Sequence, residues 1–340
     1  MNEHALNEAV KKLPKSIEPP RDLWPDIQAR LGESKGGQLR WRLRYWIPLA
    51  AAAALVAVLI VRSGGWGGPA TWDVTRVAGK PLVGTRPLTA SGRLRVGEWL
   101  ETDDSSRALI AVGRIGEVAV ERDTRIRLVT ARRDEHRLAL AHGAIAAKVD
   151  AEPRLFFVET PAGTAIDLGC AYTLAMDSLG IGRLHVTAGI VEFQTGSRSS
   201  KVPIGAMAEI RGGGGPRMGP GIPFVEDAPA PLVRALIAFD FEHGGARAAR
   251  TVLAIARPHD AVSLWHLLQR VDAPLRGAVY DRLAALVPPP AGLSRDAAIA
   301  LDPAALDQYW SAIHRILFRR MILRGVREID PRTGTAPRAP

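Results

Sequence analysis

The residue types that carry out hydrolysis come close together in the sequence at Asp260, Ser263 and His266. A serine nucleophile needs a histidine base within hydrogen-bond reach and an acid that orients this base. All three residues fall within about two turns of one predicted helix, where their side chains cannot converge. The spacing therefore predicts no catalytic triad, and we expect a protein without enzymatic activity and without catalytic residues.

Metal and cofactor chemistry has equally little support. The single cysteine, Cys170, excludes an intramolecular disulfide and zinc sites that need paired thiolates. We expect it to be a small buried hydrophobe, with a thiol sensor as the alternative. The acid pairs Asp103–Asp104 and Glu121–Asp123 stand at predicted turns, where solvation is the expected role and calcium binding the alternative. The sequence predicts no metal site, no cofactor and no phosphate-binding glycine loop.

Charge and length limit the classes of partner. The 340 residues give room for about two domains, and the formal net charge is +10. The basic residues are almost all arginines scattered along the chain, without the interleaved aromatic residues that nucleic-acid grooves use. We therefore expect no nucleic-acid partner.

One segment predicts a membrane span. The uncharged stretch Tyr45–Val61 would form a helix roughly 25 Å long, at the lower limit for crossing a bilayer. Arg40, Arg42 and Arg44 precede it, which places the N-terminus in the cytoplasm. A buried helix of a soluble core and a cleaved signal peptide are the alternatives. The pattern predicts a single-pass protein of the inner (cytoplasmic) membrane with its C-terminal domains periplasmic or otherwise extracytoplasmic.

The remaining chain divides by periodicity into a β region and a helical region. Alternation such as Val118 and Val120 inward with Glu117 outward predicts an all-β domain, either a sandwich or a β-solenoid. Beyond it, apolar residues recur with the helical period, as in Leu264, Leu267 and Leu268. The predicted segments are a short cytoplasmic tail (1–44), a transmembrane helix (45–62), a linker (63–73), a β domain (74–211), a Gly/Pro linker (212–227), a helical domain (228–328) and a disordered tail (329–340).

Two amphipathic stretches have more than one interpretation. In the tail, Leu23, Ile27 and Leu31 recur every four residues, so this short helix either docks on a partner or is a solvated stub. Near the C-terminus, Ile313 and Leu317 face away from several arginines. We expect a packed apolar stripe with a solvated basic face there, and contact with anionic lipid headgroups is the alternative.

The β region resembles the FecR family of membrane signal proteins in the order of its motifs. "VGEWLETDDSSRALIAV", "LALAHGAIAAKV", "FFVETPAGTAIDLGCAYTLAM" and "LHVTAGIVEF" are similar to four successive family motifs and cover about a third of the chain. The matching residues are Gly97, Thr102, Ser106, Arg107, Gly143, Thr160, Pro161, Gly163, Leu168, Gly169, Val186, Gly189 and Val191. The resemblance implies a transmembrane anti-sigma-factor-like regulator that relays an envelope signal.

The resemblance implies two partner proteins, one for the β domain and one for the short tail. The β domain would sense or bind an unknown envelope protein, and the short tail would contact an extracytoplasmic-function sigma factor. The alternative is an envelope scaffold without sigma-factor activity. From the residues themselves, the Thr-Pro-x-Gly turn reverses the chain between strands, and Gly169 is expected to allow two backbones to approach closely at a bend.

Overall fold

The computed structural model describes residues 71–196, 198–213 and 218–323. The described residues all belong to one compact unit, Gly68–Pro340. This unit is mostly β-sheet followed by helices. Its strands are β1 (Thr71–Ala78), β2 (Leu82–Val83), β3 (Arg86–Pro87), β4 (Ser91–Arg95), β5 (Trp99–Glu101), β6 (Arg107–Val112), β7 (Gly116–Val120), β8 (Arg125–Arg132), β9 (Glu135–Val149), β10 (Phe156–Thr160), β11 (Gly163–Asp167), β12 (Ala171–Met176), β13 (Ile181–Ala188), β14 (Ile190–Thr195), β15 (Arg198–Pro203), β16 (Ala206–Arg211), β17 (Gly219–Pro220) and β18 (Phe224–Val225).

The strands form two sheets that share one long strand. The first sheet has the order β4, β1, β6, β7, β9, β12, β13, β16, with β17 and β18 both paired to β16. The second has the order β3, β2, β5, β8, β9, β10, β11, β14, β15. Every pairing is antiparallel except that of β9 with β10. Because buried residues of both sheets form one core cluster, the β region is a two-layer sandwich.

Strand β9 crosses between the two layers at Gly143. Its first half pairs with β8 and β10, and its second half pairs with β7 and β12. Gly143 has a φ of 97°, and a Cβ there would lie 2.4 Å from the Cα of Thr124. A side chain at this position would therefore collide with the neighbouring turn, which explains why the crossing uses glycine.

The helices follow the sandwich and enclose a second core. They are α1 (Ala230–Phe241), α2 (Gly245–Ile255), a 3-10 turn (Pro258–Asp260), α3 (Ala261–Arg270), α4 (Ala273–Leu286), α5 (Arg295–Ile299) and α6 (Pro303–Leu323). The predicted apolar stripe of α3 is buried, as are Trp310 and Ile313 of α6. Helix α6 begins at Pro303, and the Asp302 carboxylate accepts a hydrogen bond of 2.9 Å from the Ala305 N–H, as expected for a capping residue.

The segment predicted as a Gly/Pro linker, 212–227, is packed in most of its described part. It contributes β17 and β18, and Ile222, Phe224 and Val225 are buried against the helices. The segment therefore extends the first sheet at β16 and places its apolar side chains in the core of the helices. Glycine and proline content alone did not reveal this, because the apolar residues between them are few and have no clear period.

The prediction of a single-pass membrane fold is wrong by this structure. No helix among the described residues is long and apolar enough to cross a membrane. Helix α6 has 21 residues, but its sequence includes Asp307 and Arg315, and its apolar residues form a stripe toward the core. The predicted span 45–62, the tail 1–44 and the C-terminal segment 329–340 lie outside the described residues. The predicted cellular location stays a prediction.

Candidate functional site

The three residues with hydrolase-like chemistry are each bound to a different partner. The Asp260 carboxylate accepts hydrogen bonds from the backbone N–H and the side chain of Arg257, at 2.8 and 2.9 Å. The Ser263 hydroxyl donates to the carbonyl oxygen of Pro223 at 2.7 Å. Both side chains are buried, and both hold the start of α3 in place. The structure thus does not bring Asp260, Ser263 and His266 together.

His266 joins α3 to the edge strand β15. Its Nδ1–H donates to the carbonyl oxygen of Val262 at 2.8 Å, and its Nε2 accepts from the backbone N–H of Lys201 at 3.0 Å. This pairing needs the neutral ring, because an acceptor nitrogen carries no proton. Burial, with the nearby Arg270 cation adding to it, lowers the pKa of His266 to about 3. The imidazole is therefore a neutral connector at physiological pH.

Cys170 is a buried thiol, as predicted from the sequence. Its side chain is 4% exposed, and Sγ donates to the carbonyl oxygen of Ile190 at 3.1 Å. Burial, together with the neighbouring Asp167, raises the pKa of the thiol far above its usual range. A thiol in this state is a poor nucleophile and a poor metal ligand. The sensor alternative therefore gains no support from its surroundings.

The acid pairs at the turns are held by local contacts. The Asp103 carboxylate accepts from the backbone N–H and the hydroxyl of Ser105 at 2.9 and 2.8 Å, and hydrogen bonds from Ser106 and Ser105 lower its pKa to about 2. Glu121 lies 2.9 Å from the guanidinium of Arg107. Within the described ranges no group of three or more metal-ligating side chains comes together.

A buried ion network joins the sandwich to the helices. The Asp240 carboxylate, in α1, lies 3.0 Å from the guanidinium of Arg270 in α3 and also binds Arg198 in β15 and the backbone N–H of Ile222. The Arg270 guanidinium donates in addition to the carbonyl of Ser199 and to the hydroxyl of Ser200, at 2.9 and 2.6 Å. Since each charge is paired and hydrogen-bonded, the network satisfies groups that would be costly to bury alone.

Next to this network is a cleft that we call the junction cleft. It has a volume of about 260 Å³ and lies between β15, α3 and the start of α6. Its lining residues are Ser199, Lys201, Trp265, His266, Gln269, Leu301, Pro303, Leu306 and Asp307.

The junction cleft combines an aromatic wall with a pair of charges. The Lys201 ammonium lies 5.7 Å from the ring centre of Trp265 and 5.9 Å from that of Trp310. It also pairs with the Asp307 carboxylate at 3.2 Å, and Asp307 is largely exposed. The Trp265 Nε1–H donates to the carbonyl of Leu306 at 3.0 Å, which fixes the wall. Pockets for small molecules usually have volumes of about 300–1,000 Å³, so this cleft fits one or two side chains of a protein partner better than a cofactor.

Only part of this site could be predicted from the sequence. The spacing around His266 predicts no catalytic triad, and the structure shows a structural connector there. No pattern in the sequence singles out Lys201 or Asp307. The lysine in β15 is one sequence signal that could have indicated this site, because the chain has far fewer lysines than arginines. Nothing local in the sequence pairs this lysine with a residue in α6.

Several residues that resemble the FecR motifs, among them Thr102, Gly143 and Thr160, lie at turns or at the strand crossing of the sandwich, whereas Val186 and Val191 are buried in β13 and β14. The Thr102 hydroxyl donates to the Glu121 carbonyl at 2.6 Å and accepts from the Thr124 N–H at 2.9 Å. The Thr160 hydroxyl donates to the Gly163 carbonyl at 2.9 Å across the hairpin between β10 and β11. These motif residues fix backbone geometry, so a structural role accounts for them.

Gly169 does have the left-handed conformation that favours glycine, with a φ of 88°. The expected close backbone approach at this residue is wrong, because a Cβ there would meet its nearest neighbour, the Ala151 oxygen, only at 3.4 Å. The close approach is made by Gly189, where a Cβ would lie 2.1 Å from the Gly169 oxygen.

No protein-family model and no curated protein matches this chain. Two crystal structures described as those of "a putative anti-sigma factor from Parabacteroides distasonis ATCC 8503" are similar to part of its fold, each with 14% identity and a TM-score of 0.32. The similarity covers 41% of this chain and 64% and 63% of the two crystallised chains. The chain thus spans less than two thirds of the length of these structures.

Proposed function

We propose that this protein is a non-enzymatic, FecR-like regulator of the anti-sigma type, which acts by binding other proteins. The observation that carries the proposal is the placement of the FecR-like motif residues. Thr102, Gly143 and Gly163 hold the turns and the strand crossing of the sandwich, so the motifs specify a scaffold and supply no reactive group.

The junction cleft supports protein binding as the mode of action. Its mouth carries the Lys201–Asp307 pair at the edge of the sandwich, with Trp265 buried behind it, and its volume of about 260 Å³ fits partner side chains. Because the ion network around Asp240 fixes the helices on β15, the cleft keeps its shape before a partner arrives. We propose that a partner protein uses this cleft and that residues 1–44 contact an extracytoplasmic-function sigma factor.

Capture of a purified extracytoplasmic-function sigma factor tests the sigma-factor part of the proposal. We expect the full-length chain to retain the sigma factor and a chain lacking residues 1–44 to lose it. The matched control is the full-length Lys201→Ala variant, which alters the cleft and should retain the sigma factor as well as the parent chain. If the full-length chain retains no sigma factor, the sigma-factor assignment fails, and the scaffold alternative takes its place.

A further inference from the structure

A second groove lies on the helical hairpin formed by α1 and α2, and it shares no lining residue with the junction cleft. The two helices are joined by residues 242–244, where the backbone N–H groups of Glu242 and Gly244 both donate to the Ala238 carbonyl, at 3.1 and 2.8 Å. A Cβ at Gly244 would lie 2.7 Å from the Cβ of Ala248. The turn therefore needs glycine, and it brings the two helices close together.

A groove with a volume of about 370 Å³ runs along this hairpin, and we call it the hairpin groove. Its floor is formed by small residues, among them the buried Ala235 and Ala248 and the half-buried Ala238. Short side chains leave the groove open and allow a partner's backbone to come close. The complete lining is Pro231, Arg234, Ala235, Ala238, Gly244, Arg247, Ala248 and Thr251.

The charges of the hairpin groove are all of one sign. Arg234 on α1 and Arg247 on α2 are exposed, and within the described part of the chain neither has a carboxylate within ion-pair distance. The two acidic residues of the hairpin are turned to other elements. Asp240 is buried with Arg270 and Arg198, and Glu242 lies 3.7 Å from Arg211. The groove thus has a guanidinium from each helix and no acid to neutralise them.

We propose that the hairpin groove binds an acidic helical segment of a partner protein. Guanidinium groups bind carboxylates through two parallel hydrogen bonds, so one arginine from each helix can hold carboxylates of a segment lying between them. A helix is the fitting shape because a groove between two helices with a floor of small side chains accepts a third helix close to the backbone. The inference does not rest on the sigma-factor assignment, since it uses a different surface.

The test must separate this groove from the general basic character of the chain, whose formal net charge is +10. The probe is a fluorescein-labelled 15-residue helical peptide of glutamate, alanine and leucine, titrated with the full-length protein by fluorescence anisotropy. A second peptide has glutamine in place of every glutamate. The test variant is Arg234→Gln with Arg247→Gln. The matched control is Arg250→Gln with Arg315→Gln, which removes two exposed arginines that do not line the groove.

We expect saturable binding of the glutamate peptide, at least about tenfold weaker binding of the glutamine peptide, and at least about tenfold weaker binding by the groove variant. The control variant should bind within about twofold of the parent. Equal losses in both variants would show attraction by net charge alone and would overturn the proposal, as would the absence of saturable binding to the parent. Thermal unfolding of each variant checks that the exchanges at these exposed positions leave the fold intact.

Discussion

The sandwich and its junction with the helices each bury an aspartate, but they treat the charge in opposite ways. Asp240 at the junction is 3% exposed and is paired with Arg270 and Arg198. Asp167 in the sandwich is 2% exposed, and among the described residues its Oδ2 atom has no hydrogen-bond partner. Burial raises the pKa of Asp167 to about 6, although hydrogen bonds from Cys170 and the Gly169 N–H partly offset this.

The difference shows where each region tolerates charge. At the junction, a carboxylate that contacts two guanidinium groups joins three elements, so the buried charges compensate one another. In the sandwich, a carboxyl group with neutral neighbours is easier to bury in its protonated form. The junction is therefore held by paired charges, whereas the sandwich is held by apolar packing and by backbone conformations that only glycine adopts readily.

The largest effect is expected at the junction. Replacing Asp240 with asparagine leaves Arg270 and Arg198 buried without a counter-charge, and breaking a buried pair in this way costs about 3–5 kcal/mol. Urea denaturation of the full-length protein should show this loss in the free energy of unfolding. The matched control is Asp281→Asn, whose solvent-exposed pair with Arg295 should change the free energy of unfolding far less. Equal losses in the two variants would contradict the role of the junction network.

The sequence predicted the elements of both regions better than it predicted the junction between them. Alternation identified strand faces such as Val118 and Val120, and the helical period identified Leu264, Leu267 and Leu268, all of which are buried. These patterns are local, so a single segment carries the whole signal. The network of Asp240 with Arg198 and Arg270 joins residues 30 and 42 positions apart, and no local pattern records such pairs.

Two glycines also show that a local sequence pattern does not record contacts between separate segments. The sequence indicated correctly that Gly169 belongs to a bend between strands, because only the residue type and its flanking strands were needed. Gly169 and Gly189 lie against each other, and the direction of each Cβ decides which of them has no room for a side chain. The crowding therefore became visible only in the structure, at Gly189.

A smaller effect is expected from these two glycines in the sandwich. Gly189→Ala should cost about 3 kcal/mol, because φ is 71° and the new Cβ would lie 2.1 Å from the Gly169 oxygen. Gly169→Ala should cost only about 1 kcal/mol, since it meets an unfavourable φ but no clash. Urea denaturation of both variants gives the comparison directly. A larger loss at Gly169 than at Gly189 would mean that the close approach has been assigned to the wrong residue.

The smallest effect should appear as a pH dependence at Asp167. Its pKa is about 6 in the folded protein and near 3.8 in an unfolded chain, so the folded state holds the proton more tightly. The stability that this proton provides is complete below about pH 4 and is lost as the pH rises to about 6, a total of at most about 3 kcal/mol.

Asparagine is neutral throughout, but its amide places an N–H where Oδ2 has no partner. We therefore expect Asp167→Asn to raise the free energy of unfolding by about 1–2 kcal/mol at pH 8, where the parent carries a buried charge, and to lower it by about 1 kcal/mol at pH 4, where only the cost of the unpaired amide remains.

Urea denaturation of parent and variant at intervals from pH 4 to pH 8 measures this difference, and pH effects from other groups cancel between the two chains. Asp103→Asn is the matched control. Hydrogen bonds lower the pKa of the exposed Asp103 to about 2, so its stabilising effect is present above about pH 4 and is lost only below it. The control should therefore show a constant difference from the parent across the same pH range. A constant difference for Asp167→Asn as well would mean that Asp167 is ionised inside the sandwich, and the contrast between its surroundings and those of Asp240 would then disappear.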